Sequence, residues 1–142
     1  MLKTINPLLS PELLAHLQAM GHGDSLAIVT RNFPAAAKAA RLVVMPGVQA
    51  TDVAEAILSV LPVDTAVEPA VFRIEAAGGP EALMPVHEEF QAIANAAEGR
   101  DVAVAHLERY EFYRRTEEAY VVVATGEDRL YGCFLITKGV VV

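Results

Sequence analysis

One cysteine, Cys133, is all the thiol chemistry that these 142 residues hold, so no intrachain disulfide is possible and a reducing cytoplasm is the expected compartment. Basic residues are few, 11 Lys and Arg against 18 Asp and Glu, giving a formal charge of −7. No basic cluster is available to neutralise a phosphate backbone, so nucleic acid is not an expected partner. The nearest approach to one, Arg114-Arg115, sits among Glu111, Glu117 and Glu118 and reads as a solvated face. No apolar run nears the ~20 residues that a bilayer crossing needs, so a membrane is not expected either. The stretch from Met1 reaches Pro7 before any apolar leader core forms, so no signal peptide is expected. Charged residues at 20% and apolar residues at 54% argue against disorder, and the length suits a single domain over 1–142.

Several catalytic signatures are also missing. Gly21-x-Gly23 lacks a third glycine and precedes a strand, where a dinucleotide loop follows one. There is no phosphate-binding loop and no Gly-x-Ser-x-Gly elbow. His16, His22, His87 and His106 have no metal-ligand spacing, and the one thiol has no partner, so neither metal nor cofactor is expected. His16 and His87 lie on polar helix faces, which predicts surface positions.

What is present is an alternation of helical and extended segments. Ser10-Pro11-Glu12 has a cap, a first-turn proline and an acid for the positive helix end. Leu13, Leu14, Leu17 and Met20 then share a face, and Gly21 stops the helix. Strands are predicted over 26–29, 41–45, 70–76, 102–106, 119–124 and 130–136. Residues 34–40 form a short helix or ordered loop. A helix opened by Thr51-Asp52 faces inward through Val53, Ala56, Ile57, Val60 and Leu61 until Pro62. Another over 85–97 buries Phe90, Ile93 and Ala97 and stops at Gly99, while 109–115 suits a short helical turn. Thr125–Asp128 predicts a hairpin between the final two strands. The fold class is α/β, one domain with a mixed sheet flanked by helices.

The most telling feature is Gly21-His22-Gly23-Asp24, an imidazole in a glycine-flanked turn between a helix and a strand. Such a ring is uncrowded and exchanges a proton near neutral pH. The same residue also suits a plain helix-terminal cap that meets carbonyls and the dipole. Asp24 either orients that ring or caps the next element. Tyr131-Gly132-Cys133 offers a hydroxyl beside a glycine that marks a close approach, or else an ordinary strand bulge. The C-terminal Phe134–Val142 stretch is apolar, which suits burial against another subunit or a central strand within the monomer.

Taken together, the chain resembles the RbsD/FucU family of D-ribose pyranases and L-fucose mutarotases. The resemblance rests on Met1–Leu14, Met20–Asp24, Asn32-Phe33-Pro34, Arg109-Tyr110-x-Phe112-Tyr113, Thr125-Gly126-Glu127, Tyr131-Gly132 and Lys138-Gly139-Val140, and the opening is closest to the fucose branch. It implies an RbsD-like fold, sugar-anomer interconversion without a cofactor, and a ring-shaped homo-oligomer, commonly a decamer, with sites at subunit contacts. It further implies His22 as proton donor and Arg109, Tyr131, Gly132 and Cys133 as sugar contacts; the chemistry of mutarotation then assigns Tyr131 as the partner at the anomeric hydroxyl, and Thr30 replaces part of one sugar contact. Two positions depart from the family pattern: Thr30, followed by Arg31, stands where an Asp is usual, and Cys133 where an Asn is usual. Each lost bond to a sugar hydroxyl is worth about 0.5–1.5 kcal/mol. The departures point to a sugar other than L-fucose, to weak turnover, or to a non-catalytic sugar-binding protein. Aldose–ketose isomerisation needs a base for a carbon-bound hydrogen and usually a metal, and the sequence offers neither.

Overall fold

Strict alternation along the strands decides the layering. Leu26 and Ile28, Val121 and Val123, and Phe134 and Ile136 join one apolar cluster, while Ala27 and Val29, Val122, and Leu135 join a second. A sheet with two apolar faces must be covered on both. The computed structural model describes residues 1–142 and shows that cover. Helices α1 (Pro11–Ala19), α3 (Ala50–Leu58) and α4 (Pro85–Glu98) pack on the larger cluster, and α2 (Ala35–Lys38) and α5 (Arg109–Glu118) on the smaller.

The strands are β1 (Ser25–Val29), β2 (Leu42–Met45), β3 (Val71–Ile74), β4 (Val104–Leu107), β5 (Val121–Thr125) and β6 (Phe134–Thr137). They form one six-stranded sheet in the order β2-β5-β1-β6-β3-β4. All neighbours are parallel except β6, which runs antiparallel to both β1 and β3. The α/β class and mixed sheet are as expected from the sequence.

The predicted hairpin between the last two strands is not formed. β1 lies between β5 and β6, and residues 126–133 are a long loop. That loop is pinned by Glu127, which is fully buried and accepts from the backbone N–H of Ala50 and from the Arg129 guanidinium. Tyr131, expected within the strand, sits in this loop with φ +67, a left-handed conformation incompatible with a ladder. β6 itself is the central strand that the apolar C-terminal stretch allowed, whereas Val140, Val141 and Val142 beyond it are exposed.

Smaller differences follow from the same packing. The Ser10 hydroxyl accepts from the Leu13 N–H and α4 stops at Gly99, both as predicted. α5 is a full ten-residue helix rather than a turn, opened by the Glu108 carboxylate, which accepts from the N–H groups of Tyr110 and Glu111. Its Arg114 and Arg115 pair with Glu111 and Glu118 on the solvated face. α3 ends at Leu58, leaving Val60 exposed, and α4 buries Ala94 in place of Ala97.

Candidate functional site

His22 stands at the amino end of β1, in a turn closed by the Asp24 N–H donating to the Gly21 carbonyl. Gly23 takes φ +91 there, a value that a side chain would disfavour. Asp24 holds this turn rather than the ring, because its Oδ2 accepts from the Gly21 N–H at 2.7 Å. The helix-capping role open to His22 belongs instead to Lys138, whose Nζ donates to the carbonyls of Leu17 and Met20 at 2.8 and 2.5 Å.

The imidazole is therefore left for another partner, and that partner is Asp64. Its Oδ1 lies 2.9 Å from His22 Nε2, and the His22 side chain is 50% exposed against 5% for Asp64. The Ala66 backbone N–H, and then the His22 ring, hold the Asp64 carboxyl below the usual carboxylate range. With Nε2 turned to the carboxylate, Nδ1 is the ring atom available to a ligand. His22 borders a hollow of about 560 Å³ that combines apolar side chains, among them Leu14, Val60 and Val141, with the polar Gln18 and Lys138. Nothing in the sequence near His22 announces Asp64, which is 42 residues away.

The other predicted site residues gather at the opposite end of the sheet, where the parallel strands end. That edge is the usual ligand position in open α/β sheets. Thr30 follows β1, Arg109 opens α5 after β4, and Tyr131 and Cys133 lead into β6. These four line one hollow of about 250 Å³, together with Asn32, Phe33, Ile74, Glu75 and Tyr113. Gly132 is buried behind them, where a Cβ would meet Glu127 Cγ at 2.9 Å and Val86 Cγ2 at 3.3 Å.

Within this hollow Arg109 is exposed, and its Nε donates to the Tyr113 hydroxyl at 3.3 Å. Its guanidinium lies 5.5 and 5.4 Å from the Tyr110 and Tyr113 ring centres. The Tyr113 contact, chiefly, raises the Arg109 pKa and keeps the charge fixed. Cys133 is 4% exposed, and burial pushes its thiol up to about 11, with Thr30 as a partial offset. The thiol is thus a neutral part of the wall. Glu75, absent from the sequence-based candidates, brings a carboxylate that His106 Nδ1 meets at 2.8 Å.

Sequence reasoning placed His87 on the surface, and the structure corrects this. It is 3% exposed, with Nδ1 accepting from the Met84 N–H at 3.2 Å and Nε2 donating to the Tyr131 carbonyl at 2.8 Å. Its position as third residue of α4, after Pro85, was the available signal, since side chains there reach back to the helix start.

One protomer does not bring His22 and Tyr131 together. They flank the two ends of β1, and its five residues at ~3.3 Å each separate the ends by about 16 Å. The hollow holding Tyr131 is also below the ~300–1,000 Å³ usual for small-molecule sites and is open on one side.

A human fucose mutarotase is 41% identical over 145 residues, covering 98% of this chain and 94% of that protein. An L-fucose mutarotase from Glaesserella parasuis is 37% identical, covering 99% and 96%. A crystal structure of the Streptococcus pneumoniae fucose mutarotase in complex with L-fucose superposes with a TM-score of 0.92 at 32% identity, covering 99% of this chain and 100% of that one. Residues 3–141 match the RbsD / FucU transport protein family, and with that match spanning nearly every residue, the chain belongs to the RbsD/FucU family.

Proposed function

We propose that the protein is a monosaccharide mutarotase that interconverts the anomers of L-fucose or a closely similar sugar, at sites shared between two copies of the chain. The observation that carries this reading is the pairing of two incomplete half-sites. An oriented, solvent-facing imidazole lies at one end of the sheet, and a hollow lined by Thr30, Asn32, Arg109 and Tyr131, groups able to bond sugar hydroxyls, lies at the other. The names of the relatives supply the sugar class. A homo-oligomer, with a decameric ring as the family resemblance implies, lets His22 of one copy close the hollow of the next, and the exposed Val60 and Val141 beside His22 suit such a contact.

Mutarotation needs one proton delivered and one removed. Starting as the imidazolium with Nε2–H held by Asp64, His22 protonates the ring oxygen through Nδ1–H and is left neutral, while the anomeric hydroxyl gives its proton to the Tyr131 hydroxyl, which passes its own on to water. The bond between C1 and the ring oxygen breaks, the aldehyde turns about C1–C2, and the reverse transfers close the ring on the other face. No C–H bond breaks, no electron moves, and the protein returns to its starting protonation. A positioned acid and base supply about 10²–10⁴-fold over water, which suffices for a reaction that already proceeds unaided. Arg109 and Thr30 hold sugar hydroxyls, and Gly132 and Cys133 shape the wall beside Tyr131. Asp64 keeps Nδ1 directed outward.

Exchange NMR between the α and β anomers of L-fucose tests the reading. The wild-type protein speeds exchange and His22→Ala removes the acceleration with little loss of fold; an undiminished rate in that variant would falsify the assignment. The buried thiol at 133 gives the sugar a poor donor, which keeps a binding-only protein as the second reading. Calorimetric binding of L-fucose with no faster exchange would favour it.

A further inference from the structure

We propose that His87 is a positioning residue for Tyr131, and that the first turn of α4 is the support against which the sugar-contacting loop is set. This inference rests on the role given to Tyr131 above. Two side chains of that turn, Val86 and His87, and Glu89 of the next turn reach the loop. His87 Nε2 donates to the Tyr131 carbonyl, Val86 packs where a Cβ of residue 132 would stand, and Glu89 pairs with Arg129. Arg129 is in turn bound through Nε and a terminal nitrogen to the buried Glu127 carboxylate, and donates to the Thr51 hydroxyl at 3.4 Å.

Such support is needed because Tyr131 is one of only two non-glycine residues with positive φ, the other being the exposed Thr4. A left-handed tyrosine costs free energy in isolation and persists where its surroundings over-determine it. The bond from His87 fixes the Tyr131–Gly132 peptide unit directly after the left-handed Cα, so it helps set the direction in which the phenol leaves the loop. Gly132, with no room for a side chain, lets the loop lie directly on Val86 and Glu127.

The two His87 contacts also fix its tautomer. Nδ1 faces a donor, the Met84 N–H, and must be bare, while Nε2 faces an acceptor and must carry the hydrogen. The Phe134 ring meets the imidazole edge-on at 6.0 Å and closes one side. Facing the same hollow as His87 are Arg73, Glu81, Glu88 and His106, of which the Arg73 guanidinium opposes a second positive charge. Burial and Arg73 lower the His87 pKa, with the Tyr131 carbonyl pulling the other way, so the neutral ring is the resident form.

A glutamine reproduces both contacts, since its amide oxygen can accept from Met84 and its amide nitrogen can donate to Tyr131. A leucine reproduces neither. The test begins with long-range ¹H–¹⁵N NMR of the imidazoles in the wild-type protein, which should show His87 as a neutral Nε2–H tautomer at pH 6.5. Anomer exchange of L-fucose is then compared across wild type, His87→Leu and His87→Gln. His87→Leu should lower kcat/KM by about tenfold, a lost hydrogen bond of roughly 1.4 kcal/mol, and shift the Tyr131 ring resonance. His87→Gln should recover most of both. If wild type itself does not speed exchange, the mutarotase reading fails while the tautomer and ring shift still judge the clamp. If wild type is active and His87→Leu matches it, or His87 shows the other tautomer, the positioning role is refuted. Should His87→Leu not fold, the wild-type tautomer and the His87→Gln rate decide.

Discussion

Co-assembly of two inactive variants distinguishes a shared site from one held within a single chain. His22→Ala removes the proposed proton donor and Tyr131→Phe removes the hydroxyl at the other end of β1, about 16 Å away at ~3.3 Å per strand residue. Each homogeneous variant should lack acceleration. In a 1:1 co-assembly, a site built from two copies takes its imidazole from either variant and its hollow from either. About a quarter of sites then combine an intact His22 with an intact Tyr131, by the statistics of paired interfaces. L-fucose exchange, measured by NMR at equal total protein, should recover to about a quarter of the wild-type rate in co-expressed and co-purified material. The perturbation leaves the core alone, since His22 is half exposed and Tyr131 loses only its hydroxyl. A rate no higher than that of the separate variants, in material shown by mass spectrometry to contain both chains in one assembly, would refute the shared site.

Other outcomes follow from the charges around the two half-sites. Asp64→Asn keeps an acceptor but loses the negative charge facing His22, and its amide can also offer N–H and turn the ring over; exchange should fall about tenfold, part of the 10²–10⁴ that acid–base catalysis supplies, and a rate equal to wild type would remove Asp64 from the mechanism. Burial alone would raise the Glu127 pKa, but the Arg129 side chain, with the N–H groups of Arg129 and Ala50, brings it below the usual value. Its contribution to stability is therefore present above the unfolded carboxylate range near 4.5 and is lost as pH falls through the lower folded value, so Glu127→Gln should flatten the acid limb of a Tm-against-pH curve. The same substitution should cost about 1.5–3 kcal/mol at neutral pH in denaturant titrations, as for a hydrogen bond to a charged group. Because the Cys133 thiol is buried and pushed up to about 11, iodoacetamide at pH 8 should leave it unmodified by mass spectrometry until denaturant is added.

What could be read from the chain alone was what local chemistry decides. Ser10 with Pro11, Gly99 after α4 and the alternating valines of β5 act within a few residues, and each did in the structure what its chemistry predicts. Helix α5 was underestimated because its polar residues give little apolar periodicity, while Glu108 caps it from outside the predicted span. The expected hairpin failed because strand insertion is non-local: β1 enters between β5 and β6 from a distant part of the sequence, and turn-forming residues cannot report it. Asp64 and Glu75 escaped notice for a related reason, being single carboxylates whose partners lie 42 and 31 residues away. His87 shows the limit of reading polarity by neighbours, since Glu88 and Glu89 beside it are exposed while its own ring turns in to meet the Met84 N–H and the Tyr131 carbonyl.

Strand β6 has a consequence of its own. The parallel blocks β2-β5-β1 and β3-β4 share no ladder with each other, and each is laced only to β6. The hollow around Tyr131 straddles that seam, drawing Thr30 from one block and Ile74, Glu75 and Arg109 from the other. Loosening β6 would thus let the two blocks drift apart like pages from a spine, and the proposed sugar hollow would lose its shape while each block still kept its own strands paired.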